Sequence, residues 1–140
     1  MPCPLCATAD QDLLWQDDFC RVILVDDPAY PGFCRVILNA HVKEMTDLPE
    51  PDRQRLMNVV LAVEAVVREV VQPDKINLAS LGNMVPHVHW HVIPRFADDP
   101  HFPDAIWAAV KRAGAARPVE NLRPRLLESL RRRLGPPAAG

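Results

Sequence analysis

The chain has 140 residues, of which 49% are hydrophobic and 24% charged, with a net charge of −2 at neutral pH. That length suits one domain with a respectable core rather than two substantial ones. The near balance of charge gives no general signal for nucleic acid or a membrane surface, and no apolar run approaches the roughly 20 residues of a membrane span.

The opening stretch, MPCPLCATADQD, lacks the basic start and apolar run of a secretory leader, so a cytoplasmic location is expected. In that compartment the four cysteines do not suggest a disulfide framework. Cys20 and Cys34 sit in apolar stretches and read as buried thiols. Cys3 and Cys6 form CPLC, which lacks the preceding strand and following helix of a redox motif. With two histidines the pair would complete a structural Cys2His2 zinc site.

FCRVIL occurs at residues 19–24 and again at 33–38, with VDDPAYPG between. Two β-rich runs separated by Asp, Pro and Gly read as neighbouring antiparallel strands, and a duplication this short reads as a coincidence of similar strands. In the stretch after Pro49, Leu56, Val59, Val60, Val63, Val66, Val67 and Val70 recur at helical spacing and Pro73 ends the run. Valine is a modest helix former, so packing must hold this helix. KINLASLG then reads as a strand, and GNMVP leads into PHVHWHVIPRF at residues 86–96.

In a strand, His87, His89 and His91 would line one side and Val88, Trp90 and Val92 the other. A row of buried imidazoles is costly to satisfy without a ligand, a metal or water. One zinc cannot take all three unless the strand bends: zinc binds nitrogen at about 2.0–2.1 Å, whereas residues four apart span about 13 Å. Different roles along an extended substrate fit better, and a phosphate chain is such a substrate. Past Trp107 the composition turns basic, and residues 111–140 hold half of the Lys and Arg. Leu126, Leu127, Leu130 and Leu134 there form one candidate helix face. A solvated helix docked on the domain, or a loose tail, is favoured over a nucleic-acid-binding surface. The expected fold is α+β, with a mainly antiparallel sheet of about five strands, one long helix and a C-terminal helical extension.

HVHWHVI, with LGNMVP before it and PGFCRVILNAH before the long helix, resembles the signature of the histidine-triad (HIT) family of nucleotidyl hydrolases and transferases. The resemblance covers residues 1–108 and leaves 109–140 as a basic extension. It implies a homodimer that releases a nucleoside monophosphate from a dinucleoside polyphosphate or a related adenylylated compound. The central histidine, His89, would attack phosphorus, and His91 would contact the phosphate and assist the leaving group, with His87 completing the row. Asn83 would hold phosphate oxygens, beside Met84 where many members carry Ser or Thr. Asn77 joins the substrate-binding set, and Asp26 matches, across a one-residue gap, the residue that binds ribose hydroxyls. Phe33 stands where many members have a fourth histidine. In some bacterial relatives a terminal CxxC joins two histidines at a zinc, and the matching residues are Cys3, Cys6, His41 and His87. No organic cofactor is implied. Phosphoramidase or phosphorylase activity, or a zinc-stabilised nucleotide-binding regulator, are the competing readings.

Overall fold

A computed structural model describes residues 3–7 and 11–138. The reading of MPCPLCATADQD as lacking a leader falls partly on residues outside that set. Five strands form one antiparallel sheet: β1 (Asp12–Gln16), β2 (Cys20–Leu24), β3 (Cys34–Leu38), β4 (Lys75–Ala79) and β5 (His89–Arg95), in the spatial order β1-β2-β3-β5-β4. The helix α1 (Glu50–Val71) connects β3 to β4 after a single 3-10 turn at Met45–Asp47, and α2 (Leu122–Leu134) closes the chain order.

The two FCRVIL segments pair with each other, Cys20 opposite Leu38 and Leu24 opposite Cys34. Their connection turns through Gly32 at φ +87°, where a Cβ would come within 2.6 Å of Val71 Cγ2. Both the left-handed backbone and the close approach of α1 require glycine there.

All seven apolar residues that marked α1 in the sequence are buried. The helix carries Glu50 and Asp52 in its first turn and Arg68 in its last, which suits the helix dipole. It ends at Gln72 in the left-handed region, ahead of Pro73. Its valines pack on one face of the sheet with Val22, Val36, Val88 and Val92. Those four are at most 4% exposed, so the helix is held by burial rather than by propensity.

The basic segment contributes to the same core. Leu126 and Leu130 of α2 are buried against α1 and β1, with Leu127 and Leu134 partly buried beside them. Ser129 Oγ donates to Glu69 at 2.6 Å, Arg132 pairs with Glu69 at 3.0 Å, and Trp15 Nε1 donates to the Gly135 carbonyl at 3.1 Å. No described helix is long and apolar enough to cross a membrane.

Because Leu126 is fully buried, Leu126→Ala should cost about 2–5 kcal/mol of stability and leave a single cooperative transition. Urea denaturation followed by circular dichroism measures this. A loss well under about 1 kcal/mol would place α2 outside the cooperative unit.

Candidate active site

Alternation along β5 turns Val92 toward α1 and His89 and His91 to the opposite face. On that face Ile37 stands beside His89 and Arg35 beside His91. His89 Nδ1 lies 2.6 Å from the His87 carbonyl, so it carries the proton and donates it there. The lone pair of His89 is therefore on Nε2. The His89 carbonyl in turn accepts from Ser80 Oγ at 2.7 Å.

His91 is held in the other tautomer. Arg35 Nε donates to its Nδ1 at 3.4 Å, which leaves the proton on Nε2. Burial, then the Arg35 charge, then His89, push the His91 pKa down to about 4, so the ring is neutral at pH 7. The two rings are 5.0 Å apart, centroid to centroid. Phe33 meets His91 edge-on at 6.0 Å and Trp107 does so at 5.0 Å. His89, His91, Arg35 and Trp107 face a cleft of about 330 Å³, also bordered by Leu5, Gly82, Asn83 and Met84, whereas Phe33 supports His91 from outside its lining.

The other expected site residues are distributed unevenly. Asn83 and Met84 border the cleft, Met84 almost fully exposed. Asn77 shares the histidine face of the sheet, but its carboxamide oxygen accepts from Arg95 at 2.7 Å and it lines a neighbouring hollow across Trp107. The structure does not bring Asp26 to the histidines: it lines a separate hollow with Pro28, Gly32 and Arg117. Nor does His87 border the cleft. It precedes β5, is buried, and turns its Nε2 to the Leu38 carbonyl at 2.6 Å.

Sequence reasoning missed Leu5, Arg35 and Trp107. The signal for Arg35 was a charged residue inside an apolar strand. Trp107 arrives on an irregular segment that is anchored by Asp99. Arg95 donates to both Asp99 carboxylate oxygens at 2.9 and 3.0 Å, and the amides of Phe96, His101 and Phe102 donate to them as well. Although burial opposes it, these donors hold the Asp99 carboxyl well below the usual carboxylate range.

His87 Nδ1 faces the cysteines instead. It lies 3.4 Å from Cys3 Sγ and 3.6 Å from Cys6 Sγ, and His41 Nδ1 is 3.3 Å from Cys6 Sγ. The four ligand atoms all fall within 4.8 Å of one another. With Nε2 donating to Leu38, His87 offers its lone pair from Nδ1, the tautomer a metal needs, and the carbonyl is the outer partner that fixes such a ligand. Two thiols and two imidazoles suit zinc in a closed, structural site. Burial instead pushes the Cys20 and Cys34 thiols up to about 12, which keeps them protonated.

Comparison with known proteins places the chain in a family. The family model for the HIT domain matches residues 7–98, and the chain belongs to the HIT family. A Mycobacterium tuberculosis protein named AP-4-A phosphorylase is 28% identical over 81 residues, covering 54% of this chain and 42% of that one. A Saccharomyces cerevisiae protein named bis(5'-adenosyl)-triphosphatase is 29% identical over 75 residues, covering 49% and 36%. The chain thus spans about two fifths of the length of these curated relatives. Among solved structures, a histidine triad protein from Marinobacter aquaeolei VT8 is 29% identical, with a TM-score of 0.72 over 89% of this chain and 92% of that one. A zinc-bound histidine triad family protein from Mycobacterium smegmatis, 23% identical with a TM-score of 0.67 over 94% and 95%, shares the fold.

Two expectations follow from the geometry. The unfolded chain binds a proton at His91 below its ordinary value of 6.5, whereas the folded ring refuses it until about 4. The stability from a neutral His91 is therefore complete above pH 6.5 and is lost as the pH falls toward 4. NMR titration should find His91 well below an ordinary histidine and find that Arg35→Gln raises it; an ordinary wild-type value would contradict the site electrostatics. Separately, protein prepared without chelator should contain about one zinc per chain. The double variant Cys3→Ser with Cys6→Ser should lose it and melt at lower temperature, as metal analysis and calorimetry would register.

Proposed function

We propose that the chain is a nucleotidyl hydrolase that releases a nucleoside monophosphate, AMP in the first instance, from a dinucleoside polyphosphate or a related adenylylated compound. The observation that carries this reading is the opposite tautomers of adjacent rings. His89 presents a lone pair at Nε2 and His91 presents an N–H at Nε2. A nucleophile beside a proton donor is what displacement at phosphorus requires.

In the first step His89 Nε2 forms a bond to the α-phosphorus and the bond from phosphorus to the leaving oxygen breaks. That oxygen keeps the electron pair and leaves as a phosphate anion, its charge met by a hydrogen bond from His91 Nε2–H. The His87 carbonyl accepts the Nδ1–H of His89 and stabilises the charge that develops on that ring. In the second step water attacks the same phosphorus, the bond from phosphorus to His89 Nε2 breaks, and the monophosphate leaves with the water oxygen while one proton passes to solvent and neutral His89 is restored. Arg35 and Asn83 border the cleft and supply donors for phosphate oxygens. Phe33 is an apolar wall beside His91 and moves no proton. Cys3, Cys6, His41 and His87 would hold a zinc that ties the N-terminal turn to the strand. Zinc bound there fills its positions with protein donors and contributes no reacting atom.

The name of the mycobacterial relative favours one second reading, in which phosphate rather than water accepts the nucleotidyl group. Incubation with diadenosine tetraphosphate, with and without inorganic phosphate, separates the two by the product, AMP or ADP. Homodimer assembly belongs to the same proposal and is read by sedimentation equilibrium.

His89→Ala should remove turnover by at least about a thousandfold while AMP binding persists, because the attacking atom goes and the pocket stays. His91→Ala should slow formation of the adenylylated enzyme in a single turnover far more than Phe33→Leu does. Near-normal turnover by a clean His89→Ala preparation, or a greater loss from Phe33→Leu with both variants folded, would sink this assignment.

A further inference from the structure

We propose that Arg35 reads the leaving group of the substrate: its guanidinium takes the phosphate that departs from the α-phosphorus, and so favours anhydrides over phosphoramidates, whose leaving group is uncharged. This rests on the nucleotide reading above. It adds the residue that selects between two substrate classes of the same reaction.

The duplicated CRVIL strands supply an internal comparison. Arg21 and Arg35 hold the same place in the two copies and share the histidine face of the sheet. Arg21, only 2% exposed, spends its donors on the protein: Nε on Gln11 at 2.8 Å, Nη1 on Asn39 at 3.4 Å, and Nη2 on the Leu5 carbonyl. Arg35 is partly buried and gives only Nε to a protein group, His91 Nδ1 at 3.4 Å. Among the described residues, neither of its Nη groups has an acceptor and no carboxylate lies within ion-pair distance. Its guanidinium carbon sits 5.7 Å from the centre of the Phe33 ring, so one flank is packed. A partly buried cation without a counter-charge is costly, and an anion in the cleft relieves that cost.

Position and charge identify which anion. Among the described residues that line the cleft, Arg35 is the one fixed cation and none is a carboxylate. It stands opposite His91, on the leaving-group side, while Ile37 stands beside the attacking ring of His89. As the bond from the α-phosphorus to the bridging oxygen breaks, that oxygen keeps the electron pair and gains the charge. His91 meets it with a hydrogen bond, and its ring, neutral at pH 7, brings no charge of its own. Arg35 does, and its planar fork matches two oxygens of the departing phosphate. A phosphoramidate gives the fork nothing to hold, because its nitrogen takes up a proton and departs as a neutral amine.

The test compares kcat/KM for diadenosine tetraphosphate and for adenosine 5'-phosphoramidate in the full chain, Arg35→Gln and Arg35→Lys. Loss of the His91 contact slows both substrates, so the ratio of the two isolates the leaving phosphate. That ratio should fall about thirtyfold in Arg35→Gln and be partly restored in Arg35→Lys. Calorimetry gives a second readout, free of chemistry, with α,β-methylene-ADP, which carries the next phosphate on a bridge that cannot be split. The wild type should bind it about tenfold more tightly than AMP, and Arg35→Gln should erase that preference. In the wild type the Arg35 guanidinium resonances should shift further with α,β-methylene-ADP than with AMP, a readout that depends on no variant folding. An unchanged ratio in a folded Arg35→Gln, even with both rates reduced, would leave Arg35 as a support for His91 alone and overturn the proposal. So would a preference for α,β-methylene-ADP that survives the substitution, or guanidinium resonances that do not distinguish the two nucleotides. Each of these outcomes leaves nucleotidyl transfer at His89 standing. A wild type that splits neither substrate and binds neither nucleotide would overturn both readings.

Discussion

The register between β3 and β5 is the constraint on which the site depends. It sets Arg35 opposite His91 and Ile37 opposite His89. A slip of one residue would turn both histidines into the helix-covered core and bring Val92 out to the cleft. What forbids the slip is apolar burial on the far side, where Val36, Val88 and Val92 lie under α1. Placement of polar chemistry on one face is thus enforced by hydrophobic packing on the other.

The parts of the site outside the sheet are held by polar groups that leave little unsatisfied. Asp99 accepts from a guanidinium and three backbone amides, and so fixes the start of the irregular segment that brings Trp107 to His91. A buried carboxylate is tolerable only with such a complement of donors. His87 works in a similar way, with each ring nitrogen and its carbonyl directed to a different partner. Removal of one member leaves the others buried and unpaired, which costs more than the bond itself is worth.

Much of the fold was legible because its signals are local. The seven apolar positions of α1, the alternation of β5 and the pairing of the two FCRVIL runs depend on periods within a few residues. The CPLC turn was legible through ligand chemistry and its two histidines through the family resemblance, and the structure brings all four together. Leu5, Arg35 and Trp107 were not, since each becomes part of the site only through contacts between distant stretches of chain. The repeat read as coincidence also has a consequence in space: antiparallel pairing puts Arg21 and Arg35 on the histidine face, one reaching the metal turn and the other His91. Asn77 faces the right way but spends its oxygen on Arg95, and Asp26 lines a different hollow, because strand position alone does not say where a side chain finds its partner.

The docking of α2 bears on how the chain can acquire its shape during synthesis. Val-rich α1 has little inclination to persist alone, and Leu126 and Leu130 help complete the cluster that covers it. A ribosome that has delivered the whole histidine row has still not delivered that cover. Until α2 emerges, the nascent chain leaves part of that cluster uncovered, and the interval invites either a chaperone or a pause.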